Sequence, residues 1–416
     1  MKRFLLAVLL LMAGSAAAWS QQGFSLKDGD RVVFYGDSIT DQRLYTMFAE
    51  TYVVTRFPQM KVSFVHSGWG GDRVTGGGGG PIGRRISRDV LPFKPTVVTI
   101  MLGMNDGSYR AFDQEIFDTY ANGYRHIVRS LKSALPGVRI TAIQPSPFDD
   151  VTREPNFPSG YNAVLVRYGQ FVAELARNEG LGISDFNAPV VAALTKAKAA
   201  DAKVASQIVP DRVHPGPGGH LLMAESLLKT WNAPSLVTSV TIDAAARTGE
   251  GQNTVISGLK AEAGGLEWTQ KDGALPMFLD PKDKPLQLAV ASSDFIEAMN
   301  QQPLKVTGLS AARYALTIDA ERAGTFTKEQ LAGGVNLATL ATPMQEQAKR
   351  VHELTREHNA IHFARWREVQ VPLEDDYLRN RQPALQALDA LETELIARQR
   401  AAALPVPHRY QLTPEP

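Results

Sequence analysis

The sequence changes from apolar to polar within seven residues, Phe34-Tyr35-Gly36-Asp37-Ser38-Ile39-Thr40. The apolar run before Gly36 predicts a buried strand, and the glycine permits a tight exit from that strand. A helix that begins directly after this turn would point its first backbone N–H groups at any negative group bound there. Ser38 is therefore a candidate nucleophile, although Ser and Asp in this position are also common helix-capping residues.

Short β-branched runs alternate with longer helical patterns from residue 30 to residue 231. The predicted strands are Arg31–Tyr35, Lys61–Val65, Thr96–Leu102, Val138–Ile143 and Gly182–Phe186. The predicted helices are Gln42–Phe57, Glu115–Leu135, Gly160–Asn178 and Gly218–Trp231. This alternation is typical of an α/β domain with a parallel sheet and helices on both faces. Ligands bind at the carboxyl ends of the strands in such a sheet, and Ser38 lies just past one of those ends.

Composition divides the 416-residue chain into five predicted parts. Residues 1–18 combine a basic start, a short apolar run and small residues, which is typical of a secretory signal peptide. The α/β domain spans residues 24–234, and residues 235–342 form a smaller, mostly β accessory region. Residues 343–403 are predicted to form a helical segment. Residues 404–416, which include four prolines, are predicted to form an irregular tail. The strands predicted in the accessory region are Ser239–Ile242, Leu286–Val290, Leu304–Leu309 and Tyr314–Ile318.

The charge balance and the cysteine count exclude several classes of protein. There are 44 Lys and Arg residues against 43 Asp and Glu residues, a formal net charge of +1, so we expect no nucleic-acid partner. The chain has no Cys, which excludes disulfides and thiol chemistry. After residue 18 no apolar run is long enough to predict a transmembrane segment, so we expect a periplasmic or secreted protein. The sequence assigns no oligomeric state.

Three further polar clusters follow core elements in the same manner as Ser38. They are Gly68-Trp69-Gly70-Gly71-Asp72-Arg73, Gly103-Met104-Asn105-Asp106 and Asp211-Arg212-Val213-His214-Pro215. Each cluster alone is compatible with ordinary turn or surface residues. Together they supply a nucleophile, a base, a carboxylate to orient that base and extra donors for an oxyanion. Ester hydrolysis requires that combination at one sheet edge.

These clusters resemble, in order, the four sequence blocks of the SGNH or GDSL hydrolases: Gly36-Asp37-Ser38, Gly71 followed by Asp72, Gly103-x-Asn105-Asp106 and Asp211-x-x-His214. The resemblance implies a flavodoxin-like three-layer α/β/α fold and ester hydrolysis without metal or cofactor. It also implies that Ser38 is the nucleophile, that His214 is the base and that Asp211 is its partner. The oxyanion hole would comprise the Ser38 N–H, the Gly71 N–H and the Asn105 amide. His66 departs from the family, which often has Asn five residues before its glycine.

Other features have two interpretations. Trp69 is either a platform on which a sugar ring stacks or a core residue, and Asp37 is a second candidate substrate contact. The glycine-rich residues 76–80 predict a loop beside the site rather than a phosphate-binding loop, because no Lys-Ser or Lys-Thr pair follows them. His352, His358 and His362 have helical spacing, and we interpret them as solvated or interhelical residues rather than metal ligands.

The leading hypothesis is an exported serine ester hydrolase that acts on small acyl esters. Export and an appended β region favour O-acetyl groups on carbohydrate as the substrate. One alternative is a lysophospholipase or thioesterase. Another, from a different class, is a cell-envelope carbohydrate-binding protein whose α/β domain has lost activity.

Overall fold

The computed structural model describes residues 23–262, 264–375 and 377–416. The predicted signal peptide, residues 1–18, lies outside the described residues. Within the described part of the chain, no helix is both long enough and apolar enough to cross a bilayer.

Five parallel strands form the central sheet, and their bounds lie within two residues of those predicted, except that β2 ends three residues later. They are β1 (Arg31–Gly36), β2 (Ser63–Gly68), β3 (Val97–Met101), β4 (Arg139–Gln144) and β5 (Gly182–Asp185). Their order in the sheet is β2-β1-β3-β4-β5. Strand β1 is an interior strand and pairs in parallel with β2 and β3. Val32 to Tyr35 are buried because helices cover both faces of the sheet.

Eight helices lie between and around these strands, and together with the parallel sheet they confirm the predicted α/β/α fold. They are α1 (Ser38–Asp41), α2 (Leu44–Arg56), α3 (Ile82–Asp89), α4 (Gln114–Ala134), α5 (Gly160–Glu179), α6 (Ala188–Ala200), α7 (Ala202–Ala205) and α8 (Pro217–Thr230). A one-turn 3₁₀ helix spans Leu91–Phe93. Helices α3, α6 and α7 had no counterpart among the predicted elements.

A β-rich region follows, and its strands are β6 (Ser239–Asp243), β7 (Thr248–Gln252), β8 (Thr254–Glu262), β9 (Gly265–Asp272), β10 (Pro303–Thr307), β11 (Arg313–Ile318), β12 (Glu321–Thr327), β13 (Val335–Asn336) and, at the end of the chain, β14 (Pro407–Glu415). They form a five-stranded sheet, β8-β9-β14-β11-β12, and a four-stranded sheet, β13-β10-β6-β7. Three short helices accompany them, α9 (Lys284–Ala291), α10 (Phe295–Met299) and α11 (Lys328–Gly333).

Two predictions for this region are wrong. The strand predicted at Leu286–Val290 is helix α9, which Asp283 caps by accepting a hydrogen bond from the Leu286 N–H. The tail predicted to be irregular contains β14, the central strand of the five-stranded sheet, which pairs antiparallel with both β9 and β11. Side chains along β14 alternate between buried and exposed, and Pro407 is tolerated because it is the first residue of the strand.

The predicted C-terminal helices are α12 (Pro343–Phe363) and α13 (Arg381–Ala402), separated by a π-helical segment, Ala364–Gln370. They pack on α2, which explains why Tyr45 to Arg56 are all buried although α2 lies on the outer layer of the sheet. The buried Glu50 carboxylate accepts hydrogen bonds from His358 Nε2 at 2.6 Å and from Gln399 Nε2 at 2.9 Å. Glu50 is therefore one buried point of contact between both C-terminal helices and the α/β domain.

Candidate active site

The turn that carries Ser38 is held by the residues on either side of it. Strand β1 ends at Gly36, where a Cβ atom would lie 2.2 Å from Thr40 Oγ1 and 2.7 Å from the Met101 carbonyl oxygen. Asp37 caps α1 because its Oδ1 accepts a hydrogen bond of 3.0 Å from the Ile39 N–H. Ser38 is the first residue of α1, so its own N–H has no partner within the helix and remains available.

A chain of hydrogen bonds joins Ser38 to the loop before α8. Ser38 Oγ lies 2.8 Å from His214 Nε2, and His214 Nδ1 lies 2.7 Å from Asp211 Oδ2. An ionised carboxylate can only accept, so Nδ1 carries a proton and Nε2 is free to accept from the serine hydroxyl. This is the tautomer in which imidazole can remove the hydroxyl proton. The three residues, predicted from two separate blocks, thus lie together.

The Asp211 carboxylate also shapes the loop that presents His214. Its Oδ1 accepts hydrogen bonds from the Val213 N–H at 2.9 Å and from the His214 N–H at 2.7 Å. Partial burial opposes ionisation, but these N–H groups and the imidazole lower the pKa of Asp211 below its usual value. The carboxylate therefore stays charged and accepts from His214 at neutral pH.

The two other predicted oxyanion donors come from the loops after β2 and β3. Gly71 has a φ of +77°, in the left-handed region where glycine is favoured, and a Cβ atom there would have no neighbour within 4 Å. The Asn105 Oδ1 accepts a hydrogen bond of 2.9 Å from the Tyr109 hydroxyl, and its Nδ2 donates to the Asp72 carbonyl at 3.0 Å. These contacts fix the amide orientation and leave one N–H of Nδ2 for a ligand. Tyr109 had no signal in the sequence.

An open cleft of about 600 Å³ adjoins Ser38 on the His214 side. Its polar lining includes Asp41, Gln42 and Arg43, and its apolar lining includes Leu44, three prolines and Phe363. Phe363 ends α12, so the C-terminal helices contribute directly to this wall. Neither Gly71 nor Asn105 is among the residues that line the cleft.

Comparisons with known proteins identify the kind of domain that carries this site. Residues 34–222 match the model of the GDSL-like lipase/acylhydrolase family. The chain carries a GDSL-like lipase/acylhydrolase domain. An acetylxylan esterase from Geobacillus stearothermophilus is 25% identical over 228 residues, which are 48% of this chain and 93% of that enzyme. The protein is therefore an ester-bond hydrolase.

A solved structure resembles the chain beyond this GDSL-like domain. A gut microbial diltiazem-metabolizing enzyme superposes with a TM-score of 0.80 at 26% identity, covering 94% of this chain and 98% of that one. The β-rich region and the C-terminal helices thus belong to an arrangement that a solved protein also has.

Two candidate substrate contacts in the GDSL-like domain are buried instead. Trp69 is 9% exposed, and the Arg367 guanidinium covers its ring at 3.1 Å from the centroid, so no face is free for a sugar. Asp37 is 1% exposed, and burial raises its pKa to about 8. A buried, capping Asp37 cannot reach substrate. The structure thus favours the core interpretation of Trp69, and the burial of Asp37 does not fit the predicted substrate contact.

The departure at His66 has a structural explanation. His66 is buried, with Nδ1 2.6 Å from Thr46 Oγ1 and Nε2 3.2 Å from Glu50 Oε2, so it supports α2 rather than the Gly71 loop. Asp41 holds that loop instead, since its Oδ2 accepts a hydrogen bond of 3.1 Å from the Gly70 N–H. The predicted glycine-rich loop is a tight hairpin in which Gly76–Gly77 pairs with Gly80–Pro81.

Two further residues of the GDSL-like domain support the His214 loop. Gln42 Nε2 donates to the Pro215 carbonyl at 3.3 Å, and Gln42 Oε1 lies 3.1 Å from His220 Nε2. His220 Nδ1 accepts from the Tyr45 N–H at 3.2 Å, and burial lowers the pKa of His220 to about 3, so it stays neutral. Sequence reasoning missed both, because neither lies in a recognised block.

His352, His358 and His362 are interhelical, and His352 Nδ1 lies 3.2 Å from Thr51 Oγ1 on α2. His358 Nδ1 and His362 Nδ1 lie 3.8 Å and 3.6 Å from the carboxylate of Glu392 on α13. In the described part of the chain, no group of three or more His, Asp or Glu side chains is arranged to hold a metal ion.

Proposed function

We propose that this ester hydrolase removes acetyl groups from carbohydrate, with Ser38 as nucleophile, His214 as general base and Asp211 as its orienting partner. The observation that carries the proposal is the continuous hydrogen-bonded chain of 2.8 Å and 2.7 Å from Ser38 to Asp211 beside an open cleft. The similarity to an acetylxylan esterase supports acetyl as the acyl group.

The first half of the reaction transfers the acyl group to the enzyme. Ser38 Oγ attacks the ester carbonyl while its proton passes to His214 Nε2. The carbonyl oxygen becomes an oxyanion, which the Ser38 N–H, the Gly71 N–H and the Asn105 amide would stabilise. The C–O bond to the alcohol then breaks, and His214 returns the proton to the departing alkoxide. In the second half, His214 activates water, which displaces Ser38 and releases acetate.

The position of the cleft relative to Ser38 and His214 indicates where the alcohol and the acyl group of the substrate lie. His214 must protonate the leaving alcohol, so that alcohol lies on the side of Ser38 where His214 and the cleft are found. The cleft is open and combines polar side chains with the Phe363 ring, which suits a sugar with hydroxyl edges and apolar faces. We place the small acyl group toward Gly71 and Asn105, which do not line the cleft.

The experiment measures acetate released from acetylated xylan beside hydrolysis of p-nitrophenyl esters with acyl chains of two, four, eight and twelve carbons. We expect release from the polymer and a preference for the shortest ester, both lost in Ser38→Ala. Preference for the long esters would move the protein to the lysophospholipase or thioesterase class. Undiminished hydrolysis by Ser38→Ala would overturn the assigned nucleophile.

We also propose that the enzyme acts outside the cytoplasm, on the basis of residues 1–18. A periplasmic location would bring it to polymeric or imported carbohydrate. The test is fractionation of a bacterial host that expresses the full chain, followed by N-terminal sequencing. We expect a processed protein that begins near residue 19 in the periplasm or medium, whereas an unprocessed cytoplasmic protein would contradict the proposal.

A further inference from the structure

The π-helical segment Ala364–Gln370 contacts the oxyanion loop, Trp69 to Asp72, although nearly 300 residues separate them in sequence. Arg367 lies over the Trp69 ring at 3.1 Å from the centroid, and its Nη2 is 3.8 Å from Asp41 Oδ2. Trp366 is buried and meets Trp69 edge to face, with ring centroids 5.7 Å apart. Segments of π-helix are rare and are frequent at functional sites.

Arg367 reaches two groups that set the position of Gly71. The Trp69 carbonyl accepts a hydrogen bond of 3.1 Å from the Asp72 N–H, which closes the turn that contains Gly71. Asp41, the ionic neighbour of Arg367, accepts from the Gly70 N–H. A guanidinium that lies between Trp69 and Asp41 therefore restrains the first two residues of this turn, Trp69 and Gly70.

Trp366 reaches Asn105 through a buried chain of charged groups. Its Nε1 donates to Asp89 Oδ1 at 2.7 Å, and Asp89 is paired with the fully buried Arg85. Arg85 Nε donates to Asp72 Oδ2 at 2.7 Å. The Asp72 carbonyl in turn accepts from Asn105 Nδ2. Removing one member of such a buried network leaves the charge of its partner without a counter-charge. The partner then shifts, and the shift displaces the next pair in the network.

We propose that Trp366 and Arg367 are positioning residues for the oxyanion hole, an inference that rests on the proposed function of Ser38, Gly71 and Asn105. Neither residue needs to touch substrate. They act by holding the Gly71 N–H and the Asn105 amide where charge develops, and such stabilisation depends on donors that are already in place. A misplacement of about 1 Å can cost on the order of 100-fold in rate.

The variants that test this inference are Arg367→Met, which keeps the length of the side chain but removes its charge, and Trp366→Phe, which keeps a ring but removes the N–H. Arg367→Lys is the conservative variant. Arg365→Ala is the matched control, because Arg365 lies in the same segment but pairs with Asp389 on α13, with Nε to Oδ1 at 2.7 Å.

We expect Arg367→Met and Trp366→Phe to lower kcat on p-nitrophenyl acetate by about 10- to 100-fold with KM within about twofold of wild type. Arg367→Lys should recover part of that loss, and Arg365→Ala should match wild type. Circular dichroism at the assay temperature verifies that each variant is folded. A kcat within about twofold of wild type for both variants, while Ser38→Ala is inactive, would overturn the inference and leave the proposed function intact.

A double-mutant cycle with Asn105→Ala separates positioning from general destabilisation. If Trp366 acts through Asn105, Trp366→Phe should lower kcat by less than about threefold in the Asn105→Ala background. A loss in that background as large as in the wild type would show that the two residues act independently and would contradict the inference. Full activity of Ser38→Ala would instead contradict the proposed function, in which Ser38 is the nucleophile.

Discussion

Asp211 performs two tasks at the scale of a single residue. One carboxylate oxygen closes the turn of residues 211–214, and the other accepts from the His214 ring. The carboxylate is more than half exposed, at 56%, so water can replace part of its role when it is lost. Ser38 has no such substitute, because the bond that must form involves its own oxygen.

We therefore expect Asp211→Asn to retain more activity than Ser38→Ala. The amide keeps an acceptor for the turn but removes the charge that fixes the His214 tautomer, so kcat should fall by about 10²- to 10⁴-fold. Steady-state kinetics on p-nitrophenyl acetate measure both variants. Equal, background-level rates would show that Asp211 is as indispensable as the nucleophile.

Asn105 is the oxyanion donor whose orientation the structure defines most fully. Asn105→Ala should lower kcat by about 10²- to 10³-fold with little change in KM, because the amide acts on charge that appears only in the transition state. Tyr109→Phe removes only the hydroxyl that orients Asn105, so its loss should be smaller. A rise in KM at constant kcat for Asn105→Ala would identify it as a substrate-binding residue instead.

At the scale of elements, helices α12 and α13 are joined to α2 through buried charges. Burial disfavours the charged imidazole of His358, but Glu50 and Glu392 outweigh it and raise the pKa of His358 to about 9. His66 shares Glu50, and burial lowers its pKa to about 4, so His66 stays neutral. His362 also contacts Glu392. One charged histidine thus lies between two acids at the interface.

A group whose pKa is higher in the folded than in the unfolded protein stabilises the folded state at pH values below the unfolded-state pKa. That stabilisation is lost as the pH rises through the folded-state pKa. The free energies of unfolding of wild type and His358→Gln should therefore differ most below about pH 6.5. The difference should shrink by roughly 1–3 kcal/mol between pH 6.5 and 10. Urea denaturation across this range measures it. A difference that does not change with pH would mean that His358 is neutral in the folded protein.

Strand β14, which was predicted to be an irregular tail, is a central part of the β-rich region. Tyr410 lies on this strand, is fully buried and stacks on Trp268 with centroids 5.1 Å apart. We expect Tyr410→Ala to destabilise the protein by about 3–5 kcal/mol, as for other large core aromatics. Gln411→Ala, an exposed neighbour on the same strand, should change stability by less than about 0.5 kcal/mol. Equal small effects in thermal unfolding would favour an irregular tail.

At the scale of the whole molecule, the fold of the α/β domain could be predicted from the sequence because the motifs there coincide with the ends of the strands. Ser38, Gly71, Asn105 and His214 each follow or precede a core element, so the topology brings them to one edge. The helix α9 was missed because a short apolar run does not distinguish strand from helix, although Asp283 and Pro285 were start signals. The alternation along β14 was visible, but its prolines outweighed it.

The long-range contacts could not be predicted from local patterns. Nothing near Trp69 indicates that Arg367 covers it, and nothing near Phe363 indicates that it lines the cleft. These contacts exist because the C-terminal helices pack back on α2 and extend to the rim of the site. The end of α12 and the π-helical segment after it thus belong to the architecture of the active site.

The central claim is that Ser38 is the nucleophile that His214 activates. The most direct measurement is mass spectrometry of the protein after treatment with diethyl p-nitrophenyl phosphate, with peptide mapping of the adduct. We predict a single diethylphosphoryl group on Ser38, absent in Ser38→Ala and formed far more slowly in His214→Ala. An adduct at another residue, or continued ester hydrolysis by fully labelled protein, would contradict the claim.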